Sequence, residues 1–353
     1  MKKKYQRREF ILTSALTGLG MGISGSLLSM NQTDKVMKGG RIGMIGLDTS
    51  HVVAFTNTIN EGNAKGDPNF AGFKVVAAYP TKGSADMSAS IDRLAGFTEK
   101  LAGMGVEIVS SIEELLGKTD VILLESVDGR RHLDEVLPVF KAGKRVFIDK
   151  PVSHSLAGAI AIFEASKKYN VPTFSCSTTR FTPAILEIVR GKETVGKILS
   201  ANTFCPAGLA PGHLEMTFYG IHGIEALFTL MGTGCKEVSR FNTSVADTVV
   251  GKWADGRLGI FNATPKGGKG GFGATVFGDK GIEEKVQILV GYDPMLVEII
   301  EYFRTGKLPL APEATLEVFA FMEAADESKA NGGKPVSMES VMVKAQKEAS
   351  KMI

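Results

Sequence analysis

His51, His132, His154, His213 and His222 are the side chains whose unperturbed pKa, about 6.5, lies nearest neutral pH. A base that takes a hydroxyl proton is therefore sought first among them. Lys150 follows the apolar run at 145–148 and precedes Pro151, which places its ammonium at the carboxyl end of a strand, where doubly wound sheets bind ligands. A cation there stabilises a developing alkoxide. Together a histidine and a lysine suit oxidation of a secondary alcohol, in which a base takes the hydroxyl proton as hydride leaves for an acceptor. A second chemistry opens if Asp48, His51, Glu125, His132, His222 and Glu225 converge on one cleft: such a set ligates a metal, or runs acid/base chemistry without a redox cofactor.

Plainer readings stand beside these. Asp48 and His51 lie at a strand-to-helix turn and read equally well as local capping groups. His132, near a helix N-terminus, serves structural hydrogen bonding as readily as substrate contact. His154 and His213 sit in no supporting pattern, and Phe218 and Tyr219 suit a pocket wall or a core.

The elements that must hold these residues follow an alternating pattern. Residues 41–47, 73–79, 107–109, 120–125 and 145–148 read as strands, and 52–60, 88–102, 111–116 and 133–141 as helices between them. Ser111 is an N-cap followed by acids in the first turn. This order builds a parallel, doubly wound sheet of the Rossmann type. After Asp149-Lys150-Pro151 the character changes. Residues 155–169 and 183–190 read as helices, whereas 197–204, 237–241, 247–253, 257–262 and 274–277 are strands joined by Gly-rich turns, predicting an open and mainly antiparallel sheet. Helices return at 294–305 and 314–330, and residues 266–273 form a turn. The fold class is α/β, with a Rossmann-like domain at 38–150 and an α+β domain for substrate and oligomer contacts at 151–353.

The 353 residues are 44% hydrophobic and 22% charged, which excludes a disordered, collagen-like or coiled-coil chain. Forty-one Lys and Arg stand against 38 Asp and Glu, but residues 1–30 hold five of the cations and one acid, leaving 36 against 37 in the body. No electrostatic footprint for nucleic acid is present. Cys176, Cys205 and Cys235 match neither a disulfide scaffold nor a zinc spacing, and read as small buried apolar residues. Lys2 to Arg8 are charged, and the uncharged, Gly- and Ser-rich run 11–30 follows. With Arg7-Arg8 ahead of that run, residues 1–37 read as a twin-arginine signal peptide and linker, addressed to the export machinery of a bacterial cell and a periplasmic destination.

Six segments in order carry a resemblance: Arg41-Ile42-Gly43-Met44-Ile45-Gly46; His132 in Gly129-Arg130-Arg131-His132; the run Ala142-Gly143-Lys144-Arg145-Val146-Phe147-Ile148-Asp149-Lys150-Pro151; Arg180-Phe181-Thr182-Pro183; Gly220-Ile221-His222-Gly223-Ile224-Glu225; and Ala324-Ala325-Asp326-Glu327-Ser328. Over about residues 40 to 340 the chain resembles the Gfo/Idh/MocA oxidoreductases, named for glucose-fructose oxidoreductase and inositol dehydrogenase. The resemblance implies NAD or NADP as cofactor and a sugar, cyclitol or sugar derivative as substrate. It places Lys150 beside the nicotinamide and His222 as acid or base, with Gly43, Gly46, Thr49, Ser50, Lys82 and Ser84 toward the cofactor. His132, Arg180, Tyr219 and Glu225 fall toward the substrate, no metal is implied, and a homo-oligomer through the open sheet is.

The pattern breaks at the first turn. In place of G-x-G-x-x-G stand Gly46, Leu47, Asp48, Thr49, Ser50 and His51. Two glycines are gone, and Asp48 sets a carboxylate where a diphosphate comes close, although Thr49, Ser50 and the helix N-terminus still offer donors. The second strand ends in Tyr79-Pro80-Thr81-Lys82 with no acid for a ribose diol, which tilts the reading toward NADP. The expectation is an exported NAD(P)-dependent oxidoreductase whose cofactor is held tightly. Its rivals are a non-redox lyase, isomerase or glycosidase-like enzyme on the same scaffold, and a carbohydrate-binding protein without catalysis.

Overall fold

The computed structural model describes residues 36–264, 271–288 and 291–353; the export-signal reading falls on residues outside these. Five strands form the first sheet: β1 (Gly40–Ile45), β2 (Phe73–Tyr79), β3 (Glu107–Ile108), β4 (Val121–Leu124) and β5 (Val146–Ile148). All pair in parallel in the order β3-β2-β1-β4-β5, so the strand order reverses between β1 and β4, where a crevice opens at the carboxyl ends. Helices α1 (His51–Ala64), α2 (Ser88–Gly103), α3 (Ile112–Lys118) and α4 (His132–Lys141) make the crossovers. Val121 to Leu124 are buried without exception, as a strand covered on both faces must be. Ser111 accepts from the Glu114 N–H and caps α3, as its sequence predicts.

The chain then forms α5 (Leu156–Lys168), a 3-10 turn at Thr178–Phe181, α6 (Pro183–Val189), β6 (Ile198–Pro206) and α7 (Ile221–Met231). Strands β7 (Cys235–Asn242), β8 (Asp247–Trp253), β9 (Leu258–Thr264), β10 (Gly273–Gly278) and β11 (Ile282–Val286) follow. The last elements are α8 (Asp293–Thr305), α9 (Pro312–Ala330), β12 (Val336–Ser337) and α10 (Met338–Ala349). The second sheet runs β11-β10-β6-β9-β8-β7-β12 and is antiparallel except for the parallel β6–β9 pair. Among the described residues no helix is long and apolar enough to cross a membrane.

Two features tie the halves together at the site. Phe174 bridges Phe147 in parallel and prolongs the first sheet past β5. Helix α8 lays Met295, Leu296, Ile299 and Phe303 into the core that holds Phe55, Ile59 and Phe73, so a late helix covers α1. The three cysteines are free and buried, and burial pushes the thiols of Cys205 and Cys235 up to about 12.

Candidate active site

Register sets the geometry of the site. Ile45 of β1 pairs with Leu124 of β4, and Leu124 with Ile148 of β5, so Gly46, Glu125 and Asp149 are the first residues past three adjacent strands. The Glu125 N–H donates to the Ile45 carbonyl at 2.7 Å and the Asp149 N–H to that of Leu124 at 2.8 Å, which fixes both backbones at the edge. Gly46 turns the chain with φ +83°, and a Cβ on it would lie 2.2 Å from Ser126 Oγ and 2.4 Å from its backbone nitrogen. Only glycine fits there.

Helix α1 starts above this edge and delivers His51. Its Nδ1–H donates to Asp149 Oδ2 at 2.7 Å, and Glu125 Oε2 lies 3.8 Å from the same nitrogen. The ring stacks on Phe55 at 5.1 Å and meets the edge of Tyr292 at 4.8 Å. Burial drives the Glu125 carboxyl well above its ordinary pKa, and the nearby Asp149 charge adds to this. Burial also acts to raise Asp149, but the His51 ring, its hydrogen bond and Lys150 outweigh it and hold that carboxyl low.

Lys150, half-exposed, follows Asp149 at the same edge. His222, in the first turn of α7, is reached by its charge. Burial first, then Lys150 and His51, lower the His222 pKa well below 6.5, with Asp149 opposing. Tyr219 and Phe272 set their rings 5.8 Å from the imidazole on either hand. Ser177 Oγ accepts the Thr179 N–H at 3.1 Å and the Thr179 hydroxyl at 2.9 Å, and lies 2.7 Å from Nδ1 of His222. The Thr179 hydroxyl also faces the His222 carbonyl at 2.9 Å, so Ser177 and Thr179 together fix the ring in place.

At the cofactor end, the structure answers the charge conflict raised by Asp48. That carboxylate is fully buried and turned inward, with Oδ1 accepting the Val127 N–H at 2.9 Å and Oδ2 the Ser90 hydroxyl. It does not confront an anion at the turn. Ser50 is exposed and makes no side-chain cap at the start of the 14-residue α1, and that helix N-terminus suits a diphosphate. The residues present are therefore compatible with a nicotinamide nucleotide, which Ser50, the first turn of α1 and Lys150 would hold. Thr49 is buried, its hydroxyl accepting the His51 N–H at 3.4 Å. Lys82 is exposed on the loop after β2, whereas Ser84 is buried and donates to Asp128. Asp128 is held at about 2; burial opposes this, but bonds from Arg130 and Ser84 prevail.

Three expected contacts, at Gly43, His132 and Glu225, are corrected by burial. Gly43 lies inside β1, where a Cβ would press on Thr119, Ile122 and Leu115; it serves packing. His132 is inaccessible, with Nδ1 3.1 Å from the Val152 carbonyl and Nε2 2.7 Å from that of Ser126, so neither nitrogen faces a ligand. Glu225 of α7 pairs with Nε of Arg180 in a buried ion pair, while Nη2 of Arg180 is buried with no hydrogen-bond partner among the described residues. Of the set imagined to converge, His51, Glu125 and His222 do, and Asp48, His132 and Glu225 do not. Asp149, Ser177 and Tyr292 are members that the residue pattern did not single out. For Asp149 the signal was present, since register alone puts it beside Glu125.

A five-stranded parallel sheet of the Rossmann type joined to an open mixed sheet is an α/β fold whose first sheet has the form that binds nucleotides. Residues 41–176 match the GFO_IDH_MocA family, described as an oxidoreductase family with an NAD-binding Rossmann fold. Residues 41–176 are thus similar to the NAD-binding domain of that oxidoreductase family, which supports an NAD-dependent oxidoreductase. Among solved structures, a probable dehydrogenase from Thermotoga maritima is 21% identical, with a TM-score of 0.65 over 85% of this chain and 99% of that one. A putative myo-inositol dehydrogenase from Sinorhizobium meliloti is 15% identical, with a TM-score of 0.63 over 84% and 99%. An Agrobacterium radiobacter oxidoreductase in complex with NAD+, L-tartaric acid and magnesium is 14% identical, with a TM-score of 0.66 over 85% and 99%. These likenesses extend the shared fold over both domains. No curated protein matches the chain.

Proposed function

We propose that the protein is an exported enzyme that moves hydride to or from a hydroxyl-bearing carbon of a sugar, cyclitol or sugar derivative, using NADP ahead of NAD. The observation that carries this reading is His222, buried within reach of the Lys150 charge and held through Nδ1 by Ser177. The nicotinamide supplies the hydride acceptor or donor. His222 takes the hydroxyl proton, its ring held through Nδ1 by Ser177. The Lys150 ammonium stabilises the negative charge that grows on the substrate oxygen, and Tyr219, exposed beside the imidazole, gives the sugar ring a face to lie against. The likeness to an inositol dehydrogenase supports a polyol substrate, and the charged, paired-arginine N-terminus supports export. A panel of aldoses, cyclitols and uronic acids, followed at 340 nm with each nucleotide, tests the reading. Turnover of one class confirms it, and silence across the panel with both nucleotides removes it.

The choice of nucleotide rests on Lys82. β2 ends at Tyr79 without an acid for a ribose diol, and Lys82 is the exposed cation that follows. One charge-assisted contact to a 2′-phosphate contributes about 1.5 kcal/mol, roughly tenfold in affinity. Lys82→Ala weakens NADP binding by about that factor and leaves NAD unchanged; equal effects on both nucleotides refute the preference.

The pH profile follows from His222, which is faced by Lys150, His51, Asp149 and the Ser177 hydroxyl. A base works when neutral, and its pKa is depressed, so neutrality persists below 6.5 and is lost only as pH falls through the lowered value. Alcohol oxidation therefore holds its plateau at pH 6.5 and declines further down. An acid limb centred at 6.5 or above contradicts this assignment.

A further inference from the structure

Hydride transfer leaves one buried cluster without a task. Glu125 is completely inaccessible, and among the described residues neither of its carboxylate oxygens has a hydrogen-bond partner; Asp149 Oδ1 is in the same state. Folded proteins rarely leave such oxygens unmatched, because burying a carboxylate is costly unless a donor or a cation meets it. One ligand atom from each of His51, Glu125 and Asp149 lies within 4.8 Å of the other two. The three arrive from separate elements with fixed backbones: Glu125 and Asp149 at the ends of β4 and β5, and His51 in the first turn of α1, its ring stacked on Phe55.

We propose that His51, Glu125 and Asp149 bind one divalent first-row transition-metal ion, with Zn2+ as the reference ion. Two carboxylates match the double charge, and the imidazole selects against hard ions that prefer all-oxygen shells. Ligand bonds of about 2.0 to 2.2 Å set tetrahedral edges of about 3.3 to 3.6 Å, so the 2.7 Å His51–Asp149 edge opens and the wider edges, all within 4.8 Å, close in. Nδ1 of His51 gives up its hydrogen bond to Asp149 and turns its lone pair to the ion, the ring's one proton moving to Nε2. Three protein ligands leave a coordination position for an oxygen donor such as water or a substrate hydroxyl, the arrangement of catalytic rather than structural zinc. The site stands apart from the hydride-transfer reading, which requires no metal.

The test is calorimetric titration of the chelator-treated, nucleotide-free protein with Zn2+ and with Mg2+. One equivalent of Zn2+ bound at about 1 µM or tighter, at least tenfold ahead of Mg2+, with a raised melting temperature, is the expected result. Co2+ substitution gives visible absorption bands. Glu125→Gln keeps the shape, removes the charge and weakens Zn2+ binding about 100-fold or more, with folding checked by circular dichroism. Less than a tenth of an equivalent bound by the wild-type protein at 100 µM Zn2+ overturns the proposal. So does wild-type affinity in a folded Glu125→Gln protein, which locates the ion elsewhere. Because no nucleotide is present, failure here and failure of hydride transfer are read separately.

Discussion

His222→Gln lowers kcat by roughly 100- to 10,000-fold, the range that removal of a general base commands. Glutamine fills much of the imidazole volume between Tyr219 and Phe272 and retains a partner for Ser177, so binding of nucleotide stays within about threefold of wild type while turnover collapses. The division between kcat and nucleotide affinity is the informative readout. A variant that keeps a third or more of the wild-type kcat refutes proton transfer by His222. One that loses kcat and nucleotide binding alike shows a packing role instead.

Gly46→Ala is the second large effect, and it acts on stability. The residue occupies φ +83°, and its added Cβ falls 2.2 Å from Ser126 Oγ and 2.4 Å from the Ser126 nitrogen. The left-handed conformation costs about 1 kcal/mol in alanine, and forced overpacking costs about 1 to 3 kcal/mol more. Because the clash is partly with backbone, relief requires moving the chain just after Glu125. A loss of about 2 to 4 kcal/mol in denaturant unfolding is expected, together with weaker Zn2+ binding through displacement of Glu125. A change below 0.5 kcal/mol shows that the turn relaxes freely, which contradicts the close packing described.

Much of this arrangement was legible in the residues. The alternation of apolar runs and helical stretches located all five parallel strands to within about two residues, because strands buried on both faces are continuously apolar. Ser111 and its acids marked a helix start by capping chemistry. Helix α7 escaped a periodicity reading because ten of its residues are buried and it shows no polar face. The stripe Met338, Val341, Ala345 and Ala349 of α10 was readable in principle, but it begins just after the Asn331-Gly332-Gly333 stop and rests on two alanines. At the site, residue type failed where burial decides the outcome. Asp48 looks like an obstacle to a phosphate until its carboxylate is seen to be satisfied from behind. His132 and Glu225 look like ligand contacts until each is found paired inside the protein. Asp149, by contrast, follows from strand register once β4 and β5 are known to be neighbours.

The central claim is that a nicotinamide nucleotide lies across the reversal between β1 and β4 although the glycine turn is altered. Its most direct test is to produce the full chain, purify it natively, denature it and examine the released small molecules by mass spectrometry. The stripped protein is then titrated with NAD and NADP while its melting temperature is followed. The account predicts NAD or NADP in the released fraction, or a clear rise in melting temperature on adding one of them. No nucleotide released, and no shift with either, contradicts it.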